Sequence, residues 1–225
     1  MLAPFVLLGA GCGLPQAPDA TPAPPDPEEV LHRTIAALGA ATSYRFDGSL
    51  TRTPPPYSLS VTFTGEALLP DRQAADVTTA TGARSRVTIT GGTWTSVDAA
   101  GATSSGVGNP PGPWSPQAVR GVIGALSGSA VWRGTESGAG ARLLHLEGSI
   151  DWATARGGFT GAPGPFLPPP SKPITVALWV GEADALPRRL TVVWEALVPG
   201  QNTGQTMTTD YEMRFRDFNA PVAVP

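Results

Sequence analysis

The sequence predicts an α+β protein: a large, strongly curved antiparallel sheet of about nine to eleven strands with helices on one face. Three observations predict it. Apolar and polar residues alternate strictly through SYRFDGSLT (43–51) and YSLSVTFTG (57–65), the pattern of half-buried strands. DPEEVLHRTIAALGAAT (26–42) and SPQAVRGVIGAL (115–126) instead repeat at helical spacing. The 27 glycines and 25 prolines cluster at 13–27, 108–116 and 157–173, so they divide ordered segments rather than disperse them.

The elements follow in order. Asp26 is a helix N-cap, Pro27 suits the first helical position, and Glu29, three after the cap, completes a capping box. Leu31, Ile35 and Leu38 then form one apolar face, flanked by Val30 and Thr34, and the helix is expected to end between Gly39 and Thr42. In the first strand Tyr44, Phe46, Gly48 and Leu50 oppose Arg45, Asp47 and Ser49. TPPP (53–56) turns the chain, and Tyr57, Leu59, Val61 and Phe63 form the apolar side of the second strand. Further strands are expected near 73–80, 84–91 and 92–98, the last carrying Trp94 and entered through a tight turn at Gly91-Gly92. GATSSG (101–106) reads as a Ser-rich turn and GVGNPPGPWSP (106–116) as a loop.

Ser115 caps and Pro116 opens the second helix, where Val119, Val122, Ile123 and Leu126 share one face while Gln117 and Arg120 look outward. Gly121 and Gly124 weaken it, so it should be short and able to approach the sheet closely. Strands resume at 129–136 and 141–150. The Pro/Gly-rich loop 157–173 carries Phe159, Phe166 and Leu167. Two strands joined by a short turn occupy 174–197, and a last strand lies near 205–216. No repeat of 20–50 residues is visible.

A chain of 225 residues suits one domain, or one domain plus a tail, and suffices for a sizeable core. With a net charge of −3 and Arg188-Arg189 as its longest basic run, it lacks the basic patch that nucleic-acid binding requires. Chemistry is sparse as well. His32 and His145 are distant in sequence and neither stands at metal-ligand spacing, and His145, between Leu144 and Leu146, belongs to the solvated strand face. There is no Gly-x-Ser-x-Gly elbow and no phosphate-binding loop. The carboxylate pairs Glu147/Asp151 and Glu182/Asp184 read as solvated surface charge. No catalytic residue, metal or cofactor is expected.

The one cysteine, Cys12, ends an apolar run, Leu2–Leu8, followed by the small residues Gly9, Ala10 and Gly11. This is the apolar core and small-residue end of an export signal, too short to span a bilayer at about 20 apolar residues. LLGAGC resembles the lipobox of bacterial lipoproteins, although Gly9 stands where Leu is usual and no Lys or Arg precedes the run. The resemblance makes Cys12 the lipid-bearing first residue of the mature chain; a plain export signal with an incidental cysteine is the other reading. Two acyl chains, each buried CH2 contributing about 0.8 kcal/mol, anchor a protein more firmly than one. GLPQAPDATPAPPDP (13–27) then reads as an extended tether of about 3.1 Å per residue.

Three further stretches resemble the LolA/LolB-like superfamily. ITVALWVGEADALPRRLTVVWEA (174–196) resembles its hairpin, in which an aromatic-apolar strand end, here Leu178-Trp179-Val180, leads into Leu-Pro and a basic strand, here Leu186-Pro187-Arg188-Arg189. YEMRFRDFNAPVAVP (211–225) resembles the closing strand, and EEVLHRTIAALGAATSYRFDGSLT (28–51) the first helix and strand. Order along the chain and the lipobox together point most of all to the LppX/LprAFG lipoproteins, over roughly residues 28–225. The implied organisation is a signal peptide with lipobox at 1–11, the lipidated cysteine and tether at 12–27, and a LolA-like lipid-binding domain at 28–225.

The resemblance implies a half-barrel antiparallel sheet whose concave face is covered by helices around an apolar cavity. It also implies a lipoprotein of the cell membrane, facing the periplasm or the exterior, that holds acyl chains of lipids or lipoproteins and carries or presents them across the envelope without catalysis. Candidate lining residues are Leu31, Ile35, Leu38, Val122, Ile123 and Leu126 from the helices, with Leu59, Val61, Phe63, Val176, Leu178, Val192 and Trp194 from the strands. The loop 157–173 is a candidate lid. Each lining residue also reads as ordinary packed core. An envelope sensor or adaptor that binds a partner protein on the same scaffold, and a structural lipoprotein with a filled core, are the competing functions.

Overall fold

Both helices among the described residues start on a proline preceded by a capping side chain. The computed structural model describes residues 23–53, 58–108, 112–138, 140–151, 171–198 and 204–225, with helix α1 at Pro27–Ala40 and helix α2 at Pro116–Gly124. Proline at the first position has no N–H to leave unpaired. The Asp26 carboxylate accepts from the Glu28 N–H at 3.1 Å, and the Ser115 hydroxyl accepts from the Ala118 N–H at 3.2 Å. The expected capping box is therefore shifted: Asp26 takes the N–H of Glu28 rather than that of Glu29.

Eleven strands run among the described residues: β1 Ser43–Thr53, β2 Leu59–Leu68, β3 Arg72–Thr79, β4 Arg84–Thr90, β5 Thr93–Asp98, β6 Thr103–Val107, β7 Val131–Gly138, β8 Ala141–Ile150, β9 Ile174–Gly181, β10 Pro187–Leu197 and β11 Thr206–Arg216. They form one open, curved sheet in the order β6-β5-β4-β3-β2-β1-β11-β10-β9-β8-β7, with every neighbouring pair antiparallel. The first and last strands meet in the middle. From there β1 to β6 step outward to one edge as successive hairpins, and β7 to β11 step back from the other edge. The chain between those two edges, 108–130, contains α2, which packs against α1.

Alternation decides which side of the sheet is dry. Tyr44, Phe46, Leu50, Val61, Phe63, Leu190, Val192, Tyr211, Met213 and Phe215 are buried on one face, in one apolar cluster with Val30, Leu31, Leu38, Val119, Val122 and Ile123 of the helices. The opposite face carries cross-strand ion pairs: Arg45 to Glu66 at 2.9 Å, Arg189 to Glu212 at 3.0 Å, Arg86 to Asp76 at 3.0 Å, and Arg216 to Asp47. His145 lies on this polar face beside Glu136 and stacks on Trp179, as its place between two leucines implied.

Two glycines let the dry face close tightly. Gly48 pairs with Phe63, and Phe46 with Gly65, across the same two strands. A Cβ on Gly48 would come within 2.6 Å of the Phe63 ring, and one on Gly65 within 2.6 Å of the Phe46 ring. Each ring thus lies over the glycine of the facing strand, an arrangement that shields backbone from water.

Three expectations need correction or limits. Thr103–Val107 is a sixth strand, not part of a Ser-rich turn and loop. It pairs with β5 at the sheet edge, and Gly106 lies against the Trp94 indole, where a Cβ would be 2.9 Å away. Leu126 lies in the turn after α2 rather than in the helix, yet is fully buried. The signal and lipobox with Cys12, the tether before residue 23, Tyr57 with most of the 53–56 turn, and Phe159, Phe166 and Leu167 of the candidate lid lie outside the described residues.

Candidate functional site

The dry interior is built in rows. Antiparallel register places Val61, Leu50, Tyr211, Val192 and Val176 side by side across β2, β1, β11, β10 and β9. The next row is Phe63, Gly48, Met213, Leu190, Leu178 and, on β8, Leu146. From the helices, Leu31, Leu38, Val122 and Ile123 enter the same cluster, as does Leu126 from the turn beyond α2. Ile35 and Leu59 are partly buried against it. All the sequence-predicted lining residues thus belong to or pack against one apolar cluster, most of them fully out of water. Arg120 and Gln117 are half-buried rather than fully outward.

The helices are tied to each other and to the sheet by polar contacts at their ends. Glu28 of α1 accepts from the Gly128 N–H at 2.6 Å and the Ser127 hydroxyl at 2.8 Å in the turn after α2. Those bonds favour its charged form and hold its carboxyl below the ordinary glutamate range. At the other end of α2, the Trp114 N–H donates to the Tyr211 hydroxyl at 3.1 Å, and the two rings stack. Tyr211 in turn donates to the Met213 sulfur at 3.4 Å. Burial raises the pKa of both Tyr211 and Tyr44, so both phenols stay neutral.

Sequence reading missed the polar groups inside. Arg52 continues the Tyr44, Phe46, Gly48, Leu50 series and is buried, 8% exposed, on the dry face. Burial pulls its guanidinium below arginine's usual value. Its Nε donates to the Thr209 hydroxyl at 3.2 Å. In the same row the buried Trp194 indole N–H has no hydrogen-bond partner among the described residues. The Tyr44 hydroxyl and the Gln73 amide are likewise buried and unpartnered toward the other end of the sheet. Simple alternation was the signal for Arg52 and Gln73: each sits two positions from an apolar inward residue of its strand.

Among the described residues no group of three or more His, Cys, Asp or Glu is placed to hold a metal. No helix among them is long and apolar enough to cross a membrane. What the arrangement offers chemically is a packed apolar core with a few buried hydrogen-bond donors.

A wide open antiparallel sheet whose dry face shares one apolar core with two short helices defines the LolA/LolB-like fold class, and the chain has that fold. It is similar to the Mycobacterium tuberculosis lipoprotein LppX, with 14% identity and a TM-score of 0.57 over 88% of this chain and 98% of that one. It is also similar to LprF from Mycobacterium bovis, with 12% identity and a TM-score of 0.53 over 88% of this chain and 95% of that one. At such identities the likeness is one of fold. Neither a family model nor a curated relative matches the sequence.

Proposed function

We propose that the protein is a membrane-anchored envelope lipoprotein that holds acyl chains between its sheet and its helices and carries or presents them across an aqueous gap. In this reading α1 and α2 cover the concave face of the sheet, and the chains lie among Leu31, Ile35, Leu38, Leu59, Val61, Phe63, Val122, Ile123, Leu126, Val176, Leu178, Val192 and Trp194. Cys12 carries the diacylglycerol anchor, 12–27 is the tether, and the domain faces the periplasm or the exterior. The observation that carries the reading is the single apolar cluster that both helices and one sheet face share, on the fold of a solved lipoprotein. The driving force is ordinary: each CH2 moved from water into such an interior gains about 0.8 kcal/mol, with no bond made or broken.

The test is lipid extraction from the full chain purified from a bacterial envelope, followed by mass spectrometry. The reading predicts co-purified amphiphile in near-stoichiometric amount, beyond the acyl groups on Cys12. Consistent absence of such lipid, together with capture of a stoichiometric envelope protein, would favour the adaptor function instead.

A further inference from the structure

At one end of the dry interior the register lines up Leu59, Arg52, Thr209 and Trp194 across β2, β1, β11 and β10. Three of these side chains carry hydrogen-bond donors and all three are at least nine-tenths buried. Arg52 makes one hydrogen bond among the described residues, to an uncharged hydroxyl, and no ion pair. Trp194 stands two strands from Arg52, about 10 Å between backbones, and its indole N–H makes none. Thr209 lies between them.

Carboxylates near this row are turned away or engaged. Asp210 and Glu195 follow Thr209 and Trp194 in sequence, so alternation directs them to the other face of the sheet. Asp210 is exposed, and Glu195 is bound by Lys172 at 2.8 Å. Among the described residues no carboxylate pairs with Arg52. A buried guanidinium without a counter-ion is costly, and proteins seldom keep one without a use. Its planar fork matches phosphate and carboxylate oxygens.

We infer that Arg52, Thr209 and Trp194 form an anion subsite that receives the phosphate or carboxylate headgroup of an amphiphile whose chains lie in the interior. The inference rests on the acyl-chain reading above and adds to it the polarity of the ligand and the end at which its headgroup sits. Arg52 supplies charge and two-pronged donation, Trp194 a single N–H, and Thr209 orients the guanidinium through its hydroxyl. The neighbouring apolar rows supply the chain-binding half.

Calorimetric titration of the full chain, produced in the cytoplasm where Cys12 stays unacylated, tests this with three probes: decyl phosphate, decanol and inorganic phosphate. The expected result is a preference for decyl phosphate over decanol of about tenfold or more, with inorganic phosphate far weaker than either. Arg52→Gln should erase the preference and leave decanol affinity within about twofold of the parent, and Arg52→Lys, which keeps the charge but loses the fork, should keep only part of it. Equal affinity for the two amphiphiles, or a preference that survives Arg52→Gln, overturns the subsite while leaving the acyl-chain reading intact. If neither decyl compound binds, the acyl-chain reading fails. If inorganic phosphate binds as tightly as decyl phosphate, the site takes free anions and the headgroup assignment is wrong. Should Arg52→Gln not fold, Trp194→Phe decides: it removes one donor, and an unchanged preference would overturn the proposal.

Discussion

The Trp114 indole stacks on the Tyr211 ring at 3.8 Å between centroids and 7° between planes. With the bond from the Trp114 backbone N–H to the Tyr211 hydroxyl, this pins the entry to α2 onto β11, at the middle of the sheet. Tyr211→Phe keeps the stack and removes the acceptor. It should cost about 1–3 kcal/mol, the usual penalty for a buried donor that loses its partner. Trp114→Ala removes the ring and should cost about 3–5 kcal/mol. Urea midpoints at constant slope measure both. A Tyr211→Phe variant as stable as the parent would show that the hydroxyl does not hold the helix entry.

The Gly48–Phe63 and Phe46–Gly65 pairs make a second prediction. Gly48→Ala forces a methyl within 2.2 Å of the Glu212 carbonyl as well as into the Phe63 ring, and Gly65→Ala meets the Ala74 carbonyl at 2.3 Å. Each should destabilise by about 1–3 kcal/mol through overpacking, despite alanine's better fit to a strand. Thermal unfolding checks this, and an unchanged midpoint would mean the rings move aside freely.

Acid should loosen two carboxylate ties, one between the helices and one on the sheet. Glu28 and Glu66 both titrate below the ordinary value of 4.5: Glu28 through the Gly128 N–H and the Ser127 hydroxyl, Glu66 through the Ala223 N–H and Arg45. A carboxyl whose folded pKa is depressed stabilises fully above its unfolded pKa and loses that contribution as pH falls through the folded one. Stability should therefore be flat from neutral pH down to about 5 and decline below it. The Glu28→Gln/Glu66→Gln variant should show a shallower decline. Both groups are exposed enough for the effect to be modest. Urea midpoints at pH 6, 5, 4 and 3 read it, and identical profiles for variant and parent would contradict it.

Replacing Cys12 by Ala should move the protein from the membrane to the soluble fraction on cell lysis, because it removes the proposed acylation site. Fractionation with immunodetection checks this. Retention on the membrane would mean that another segment anchors the chain.

Legibility in the sequence followed how far one physical signal dominated. Strand β8 occupies 141–150 as read, because Leu144 and Leu146 alternate with His145 and Glu147 and both faces have clear partners. The starts of α1 and α2 were readable because Asp-Pro and Ser-Pro fix the cap and first position locally. Strand β6 was not, since Thr-Ser-Ser-Gly-Val at a sheet edge has no buried face to impose alternation. Trp114 was hidden in a Gly/Pro-rich stretch whose one apolar anchor has no period. Arg52 was missed for the opposite reason: its position followed the inward alternation but its chemistry did not, and such a conflict between pattern and residue type is where function tends to lie.

The central claim is that acyl chains occupy the interior that α1, α2 and the dry sheet face share. Photo-crosslinking of the full chain with a fatty acid carrying a diazirine near its terminal carbon, read by peptide mass spectrometry, tests it directly. The account predicts adducts on peptides from both a helix and a central strand, at residues such as Ile123 and Leu178, and their loss when excess unlabelled fatty acid competes. Adducts confined to exposed apolar positions such as Val107 and Leu197, or labelling that does not compete, would contradict it.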